Sequence, residues 1–321
     1  MRYIVYGAGS IGGTIGASLF EAGRNVVLIA RGDHGRVIGE RGLRFGNPAG
    51  GWRTLKIPVA AHPSELQIGS DDVVVLAMQA QGTVEACEAL AGSASPETAI
   101  ACAQNGIENE RIALRHFANV HGMAVRMAGV HVEPGTVAVH DTPSNGLVDV
   151  GRYPRGFDDL DRTISADLEA ANIVSMACEN IIAQKCSKLA SNVTNTLEAA
   201  MGRGAPDTEL SKRARAEALA VFAAAGINVP TGQDPRTIGR KRAPVEDTDH
   251  GGNSAFQSLR KGRARLEADY LNGEVVLLGR LHGVPTPANE FLQQLAIRLV
   301  NHRITPDHRE RRYAPARARD R

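Results

Sequence analysis

A glycine-rich turn close to the first residue constrains the fold of this chain more than any other feature of its sequence. The turn has the spacing G-x-G-x-x-G over residues 7–12 and directly follows a strand-like run at 3–6. A helical pattern over residues 10–22 begins inside it. This order of strand, glycine spacing and helix is typical of dinucleotide-binding proteins. A turn with a purely structural role is the alternative, and the context favours dinucleotide binding.

The individual positions of the turn fit contacts with a pyrophosphate. Gly7 permits the tight turn, Gly9 lets the backbone approach the phosphates, and Gly12 allows the helix to pack closely on the strand. The amides at the start of the helix then face the negative charge. The cofactor contacts predicted from this turn are Gly7, Ala8, Gly9, Ser10, Ile11 and Gly12.

The end of the second predicted strand, at residues 25–29, distinguishes between the two nicotinamide cofactors. Enzymes specific for NAD usually place Asp or Glu there to bond the ribose 2′-hydroxyl. This chain has Ala30, Arg31 and Gly32 instead. Because a guanidinium group suits a 2′-phosphate, the sequence predicts NADPH. A surface arginine without a role in cofactor binding is the alternative.

Strand and helix patterns alternate through the first half of the chain. A hairpin or two short strands are predicted around a Gly- and Pro-containing turn within residues 43–60. The alternation predicts an α/β fold with an N-terminal Rossmann domain, in which helices flank a mostly parallel, doubly wound sheet. Further strands are predicted at residues 72–78, 98–103, 124–132, 136–140 and 147–150.

The second half of the chain has a different pattern, with Ala, Leu, Glu and Arg at helical spacing from residue 180 onward. We therefore expect a Rossmann domain that binds NADP over residues 1–176 and a helical substrate and catalytic domain over 177–301. Residues 302–321 are expected to form a basic, flexible tail, with a nucleic-acid-binding arm as the less favoured alternative. A charged stretch at 230–253 interrupts the helices, and a loop of that length is either functional or mobile.

The bulk composition limits the kinds of partner. The net charge of +2 gives no reason to expect binding to nucleic acid or to a membrane surface. The four cysteines have no C-x-x-C spacing, and no His and acidic cluster is apparent, so no metal site is predicted. The chain enters its first strand at once, which predicts a cytoplasmic protein with reduced thiols. A homodimer is left open.

One helical segment of the second half has a polar face whose side chains could take part in catalysis. At about 100° per residue, Lys188, Asn192 and Asn195 fall within about 60° on one face of a helix. Leu189 and Val193 fall on the opposite face. Asparagine is a poor choice for a merely solvated helix face. A lysine flanked by amides suits proton donation to a carbonyl and binding of its oxygens, although a solvated face stays open as the alternative.

Several motifs together resemble the ketopantoate reductase (2-dehydropantoate 2-reductase) family. They follow the family order from the glycine turn to residue 289 and cover nearly all of the chain except the tail. The motifs after the glycine turn are Gln104-Asn105-Gly106, the Lys-x-x-x-Asn of residues 188–192, Asn253-Ser254-Ala255-Phe256-Gln257-Ser258, the Glu-x-Asp-Tyr-x-Asn-Gly of residues 267–273, and the segment at 283–289.

This resemblance implies an NADPH-dependent reduction of 2-dehydropantoate to pantoate, a step of pantothenate and coenzyme A biosynthesis. It implies that Lys188 is the catalytic acid and that Glu267 accepts a hydrogen bond from the substrate's hydroxyl group. The substrate contacts expected on this basis are Asn105, Asn192, Asn195 and Ser254. The further cofactor contacts are Arg31, Gln79 and Asn105.

The chain departs from the family pattern at several positions. The family's second asparagine usually lies where this chain has Thr196, with Asn195 one position earlier, and Gln79 replaces a common lysine. We therefore expect only a modest preference for NADPH. The alternatives are a reductase of a different 2-oxo acid or imine and a non-catalytic dinucleotide sensor. The presence of Lys188 and Glu267 argues against the sensor, which would need neither.

Overall fold

A computed structural model describes residues 1–202, 208–230, 232, 234–248, 252–262 and 266–302. The chain divides into two compact units. The first is Met1–Lys188 with Pro230–His250, and the second is Leu189–Val229 with Gly251–Arg321. The units differ from the predicted domains in residues 177–188 and 230–250, which belong to the first unit. The expected tail lies outside the described residues from 303 onward, and the division into cofactor and substrate domains stays a prediction.

The first unit contains all the strands of the described chain and five complete helices. Its helices are α1 (Ser10–Glu21), α2 (Gly32–Arg41), α3 (Thr83–Ala91), α4 (Glu108–Ala113) and α5 (Asp159–Ala170). The strands are β1 (Arg2–Tyr6), β2 (Asn25–Ile29), β3 (Leu43–Asn47), β4 (Gly51–Leu55), β5 (Val59–Ala60), β6 (Asp72–Leu76), β7 (Ala99–Cys102), β8 (Val120–Arg126), β9 (Gly129–Glu133), β10 (Thr136–Val139), β11 (Asp141–Thr142), β12 (Leu147–Arg152) and β13 (Lys241–Arg242).

A seven-stranded sheet in the order β12-β8-β7-β6-β1-β2-β5 organises the first unit. Every neighbouring pair is parallel except β12 with β8, which is antiparallel. From β5 through β1 to β8 the strands follow the Rossmann order 3-2-1-4-5-6. The predicted fold class is therefore confirmed.

The central strands form because their side chains are apolar on both faces. Successive side chains of a strand point to opposite faces of its sheet. In β6, Val73 and Val75 enter one buried cluster, while Val74 and Leu76 enter the other. The sheet thus has a hydrophobic core on each side, as expected for parallel strands covered by helices.

A smaller sheet in the order β4-β3-β10-β9 lies in the same unit. Its β3–β4 hairpin confirms the hairpin predicted around residues 43–60. The single strand predicted at 124–132 is wrong, because the chain leaves the central sheet after β8 and enters the smaller sheet as β9. At the break, the amide of Ala128 donates to Asp141 Oδ2 at 2.6 Å, and its carbonyl accepts from the His140 amide at 3.0 Å. These bonds divert the backbone from one sheet to the other.

Of the interrupting stretch, residues 230–250 belong to the first unit and are anchored to it through their described residues. Arg236 donates two hydrogen bonds to Asp149, at 2.6 and 2.8 Å, and Asp149 is fully buried. Arg240 forms an ion pair with Asp141 at 3.3 Å, and β13 pairs with β11. A buried carboxylate needs such a partner, because an unpaired buried charge is strongly destabilising.

The second unit is helical in its described residues. Its helices are α7 (Asn195–Met201), α8 (Glu209–Ala224), α9 (Ser254–Arg260), α10 (Ala268–His282) and α11 (Pro287–Asn301), while α6 (Ile181–Asn192) contains residues of both units. Gly283 ends α10 in the left-handed conformation, and Pro287 begins α11, as helix ends favour. In the described ranges, no helix combines the length and the hydropathy needed for a bilayer crossing.

Candidate active site

The backbone of the glycine turn depends on glycine at two of its positions. Gly7 has a φ of +103°, its amide donates to the Ile29 carbonyl at 3.0 Å, and a Cβ there would lie 2.8 Å from the Met78 amide nitrogen. A Cβ on Gly12 would collide with the Gly7 carbonyl oxygen. At Gly9 a Cβ would meet nothing within 4 Å. The backbone there is open to a ligand.

The start of α1 presents an anion-binding surface next to this turn. Gly9 is the N-cap and, as glycine, supplies no side chain to the first helical amides. The first turn carries no carboxylate. The amides and the positive end of the helix dipole are therefore suited to a diphosphate.

A histidine that the sequence analysis did not select supports the turn from α2. His34 Nε2 lies 2.7 Å from the Ala8 carbonyl oxygen, and the Gly135 amide donates to His34 Nδ1 at 2.8 Å. Because Nδ1 accepts that bond, the hydrogen-bond network assigns the ring proton to Nε2, which donates to Ala8. His131 Nε2 lies 3.0 Å from the same Nδ1. The partners are distant in sequence, so no local pattern could have identified His34.

The predicted 2′-phosphate contacts lie at the same edge of the sheet as the glycine turn. Arg31 follows β2, and Gln79 follows β6, and these strands flank β1 in parallel. Arg31 is the N-cap of α2, is exposed, and forms an ion pair with Glu85 at 2.7 Å. Gln79 Oε1 accepts a hydrogen bond from Gln81 Nε2 at 3.0 Å. The carboxyl ends of these strands are where Rossmann domains bind dinucleotides.

Asn105 follows β7, one strand further along this edge, and its turn is rigidly bonded. Its carbonyl accepts from Asn109 Nδ2 at 2.8 Å, and Gly106 has a φ of +78°. Gln104 Nε2 donates to Thr83 Oγ1 at 2.9 Å, which in turn donates to Asn109 at 2.8 Å. Neighbouring side chains therefore fix the Gln-Asn-Gly backbone.

Two lysines of α6 contact the ends of β7 and β8. Lys188 Nζ donates to the Val125 carbonyl, which orients the ammonium near the carboxyl end of β8. One turn earlier, the buried Lys185 donates to Glu110 and, at 3.2 Å, to the Cys102 carbonyl. Burial raises the pKa of Glu110, opposed by the charge of Lys185. No local sequence pattern indicates this pair, whose members lie 75 positions apart.

Asn195 does not lie on a continuous helix with Lys188, so the predicted single polar face is corrected. α6 ends at Asn192, and α7 begins at Asn195. Between them, the Val193 carbonyl accepts a hydrogen bond from Asn272 Nδ2 at 2.8 Å. This distant side chain takes an acceptor that a continuing helix would use for its own backbone. The apolar residues of the opposite face, Leu189 and Val193 among them, are buried as expected.

In the second unit, Asn253 links Ser254 to the start of α7. Asn253 caps α9 by accepting from the Phe256 amide at 2.9 Å, and its Nδ2 donates to the Asn195 carbonyl at 3.1 Å. Its backbone amide donates to Glu198 Oε1 at 3.0 Å. The structure thus brings Ser254, the first residue of α9, close to Asn195 in this unit.

The Glu267 motif contains both a candidate site residue and scaffold residues. Glu267 is the N-cap of α10 and is 7% exposed. Asn272 and Asn289 are buried, and Asn272 Nδ2 donates to Asn289 Oδ1 at 3.0 Å. Asn289 Nδ2 donates to Glu217 at 2.8 Å. These two asparagines join helices, which explains the place of Asn272 in this motif, and of Asn289 in the segment at 283–289, without a ligand.

Among the described residues, His121, Asp158 and Asp161 have potential metal ligand atoms within 4.8 Å of one another. Asp158 Oδ1 accepts from the amides of Leu160 and Asp161 at the start of α5, and Oδ2 accepts from Arg152 at 3.0 Å. His121 Nδ1 lies 2.7 Å from Asp161 Oδ1. The group is therefore a helix-capping network, whose oxygens are already bonded to protein donors.

The Rossmann sheet with its glycine turn is typical of proteins that bind a dinucleotide. Residues 3–155 match the model of ketopantoate reductase PanE/ApbA, and residues 180–299 match that of its C-terminal region. The chain belongs to the ketopantoate reductase family. It is therefore an oxidoreductase acting on a CH–OH group, with a nicotinamide dinucleotide as cofactor and a small keto acid as the class of substrate.

Individual relatives extend over nearly the whole chain. The 2-dehydropantoate 2-reductase of Pyrococcus horikoshii is 26% identical over 299 residues, covering 92% of this chain and 96% of the relative. A ketopantoate reductase structure from Ralstonia eutropha has 25% identity and a TM-score of 0.77, covering 94% of this chain and 99% of that one. D-mandelate dehydrogenase, solved with NADH and anilino(oxo)acetate, has a TM-score of 0.78 at 23% identity. The match covers 94% of this chain and 99% of that one.

Proposed function

We propose that this protein reduces 2-dehydropantoate to pantoate with NADPH, and so serves pantothenate and coenzyme A biosynthesis. One observation carries the proposal. Lys188 directs its ammonium to the carboxyl end of β8, in the same unit and at the same sheet edge as the glycine turn and Asn105. A proton donor there suits the reduction of a ketone by a nicotinamide bound across that edge.

The reaction needs a hydride at carbon C2 of the keto acid and a proton at its oxygen. Bound NADPH supplies the hydride. Lys188 donates a hydrogen bond to the ketone oxygen and transfers a proton to it as alkoxide charge develops. The neutral lysine then takes up a proton from solvent. Asn105 orients the nicotinamide and the ketone, because its turn is fixed by the Thr83 and Asn109 hydrogen bonds.

The remaining residues bind the rest of the substrate in this proposal. Asn192, Asn195 and Ser254 donate hydrogen bonds to the carboxylate oxygens. Glu267 accepts the hydrogen bond of the 4-hydroxyl group, for which its position at 7% exposure is suitable.

The cofactor in this proposal is NADPH in modest preference to NADH. Arg31 takes the place of the acid that usually bonds a ribose 2′-hydroxyl, and a guanidinium forms strong paired bonds with a phosphate. Gln79 adds no second charge, so the preference rests on one cation.

A different 2-oxo acid is the second candidate, favoured by the helix break before Asn195. Because of that break, Asn195, a proposed substrate contact, belongs to α7, whereas Lys188 and Asn192 belong to α6. The experiment is to measure initial rates of NADPH oxidation with a panel of 2-oxo acids and cyclic imines. The proposal expects the highest kcat/KM with 2-dehydropantoate. A higher value with another compound supports the second candidate, and no oxidation with any of them supports a dinucleotide sensor.

A further inference from the structure

We propose that Glu85 determines cofactor specificity by competing with the 2′-phosphate of NADPH for Arg31. This inference rests on the proposed role of Arg31 in the cofactor site. Glu85 is in the first turn of α3, and its Oε1 accepts a hydrogen bond from Arg31 NH1 at 2.7 Å. No sequence pattern indicates this pair, whose members are 54 positions apart.

The topology places the pair where the ribose of the adenosine half would bind. Arg31 follows β2, and Glu85 belongs to the helix after β6, while the glycine turn follows β1 between them. The ion pair therefore connects the two segments on either side of the turn. Rossmann domains read the adenosine ribose at the end of their second strand.

The charges of both residues also act on Tyr6, the last residue before the turn. Burial is the main cause of the raised pKa of Tyr6, which the Arg31 charge opposes and the Glu85 charge reinforces. The two opposite charges thus partly cancel at the entrance to the glycine turn. A ligand phosphate arriving there meets an arginine whose charge is already paired.

Competition for the guanidinium affects the two cofactors differently. A 2′-phosphate needs the N–H donors of Arg31. The Glu85 side chain must therefore turn away before the phosphate can bind both terminal nitrogens of the Arg31 guanidinium. The carboxylate and the phosphate also repel each other. NADH carries a hydroxyl there and has no such requirement. Both side chains are exposed, at 63% for Arg31 and 70% for Glu85, so the competition is worth about two- to fivefold in affinity.

The test is to titrate NADPH and NADH by fluorescence, without substrate and at near-physiological salt, into the wild type, Glu85→Gln, Arg31→Ala and the double variant. We expect Glu85→Gln to tighten NADPH binding by about two- to fivefold and to change NADH binding by less than about 1.5-fold. In the Arg31→Ala background the same substitution should have no effect on NADPH. The matched control is Glu88→Gln, an exposed acid one turn later on α3, which should leave both affinities unchanged.

Three results would overturn the inference. The first is an unchanged ratio of NADPH to NADH affinity in Glu85→Gln. The second is a gain in NADPH affinity that persists without Arg31, because Glu85 would then act by general repulsion. The titration contains no keto acid, so a failure to reduce 2-dehydropantoate would contradict the proposed function and leave this result standing. The third is an equal loss of affinity for NADPH and NADH in Arg31→Ala, which would contradict both this inference and the proposed preference for NADPH.

Discussion

Lys188 is the residue on which the proposed chemistry depends most directly. Its bond to the Val125 carbonyl orients the ammonium at the sheet edge. Lys185, one turn earlier, is committed to Glu110 and to the Cys102 carbonyl. Of the two lysines of α6, Lys185 therefore has a structural role, and Lys188 is the one to test for a catalytic role.

We predict that Lys188→Ala lowers kcat by about two to four orders of magnitude, the usual effect of losing general acid catalysis. The Kd of NADPH should change little, because the glycine turn and Arg31 are intact. Stopped-flow or steady-state NADPH oxidation and a fluorescence titration measure the two quantities. Near-normal turnover of the variant would assign the proton donor to another residue.

Single residues also show where sequence reasoning stops. The glycine turn and Arg31 could be identified because their chemistry is encoded within a few positions. His34 could not, because its partners are the Ala8 carbonyl, the Gly135 amide and His131, up to 101 positions away. Glu110 likewise could not be identified from the local sequence, since its partner Lys185 lies on a later helix, α6.

At the scale of elements, α2 and the turn between β9 and β10 support the glycine turn through His34. We predict that His34→Ala weakens NADPH and NADH by the same factor, about fivefold, which corresponds to one net hydrogen bond. The reason is that both cofactors share the pyrophosphate. Unlike Arg31→Ala, this variant should not change the preference between them.

Titration of both cofactors measures this effect, with His34→Gln as the conservative variant. A glutamine amide can still donate to the Ala8 carbonyl, so it should recover part of the affinity. Unaltered affinities in His34→Ala would mean that the turn keeps its geometry without the histidine. The kcat at saturating NADPH should stay the same in both variants.

The elements predicted well are those whose signals are local. The runs of β1, β2, β6 and β7 are apolar and bounded by turns, so the order of strands and helices followed from the sequence. The break between β8 and β9 and that between α6 and α7 did not. Asp141 causes the first, and Asn272, 79 positions from Val193, contributes to the second. In both cases a side chain distant in sequence bonds backbone groups. Local propensity alone would place those groups within a longer strand or helix.

At the scale of the whole molecule, residues 230–250 return to the first unit between two segments of the second. Arg236 is central to that anchoring because Asp149 is fully buried. We predict that Arg236→Ala lowers the free energy of unfolding of the first unit by about 3 kcal/mol, since it leaves an unpaired buried charge. Urea unfolding measures the loss.

Two further variants make this prediction specific. Arg242→Ala, an exposed arginine of the same segment, should change the stability by less than about 0.5 kcal/mol. Adding Asp149→Asn to Arg236→Ala removes the unpaired charge and should recover part of the loss. If the double variant is no more stable than the single one, the charge of Asp149 is not the cause.

The dependence of stability on pH provides a separate prediction. Burial raises the pKa of Asp158, but the Asp161 amide, the His121 charge and Arg152 outweigh it and leave that pKa below its usual value. The ionised carboxylate therefore stabilises the fold fully above the unfolded pKa of about 3.9, and this contribution is lost as the pH falls through the lower folded pKa.

The matching comparison uses Asp158→Asn, which keeps a side-chain oxygen for the α5 cap and removes the charge. The stability difference between the wild type and this variant should be constant from pH 7 to pH 5 and should shrink below about pH 4. Asp159→Asn, at a side chain 98% exposed, is the control. If the stability difference between the wild type and Asp158→Asn instead grew toward acid pH, the pKa of Asp158 would be raised by folding and not lowered.

The most direct test of the proposed activity compares 2-dehydropantoate with 2-oxoisovalerate, which lacks the hydroxymethyl group, in the wild type and in Glu267→Ala. The measured quantity is kcat/KM at saturating NADPH. A site that bonds a substrate hydroxyl rejects the analogue without it by up to about four orders of magnitude. We predict a strong preference for 2-dehydropantoate in the wild type and its collapse in Glu267→Ala. Equal efficiency with both substrates, unchanged by Glu267→Ala, would contradict the account.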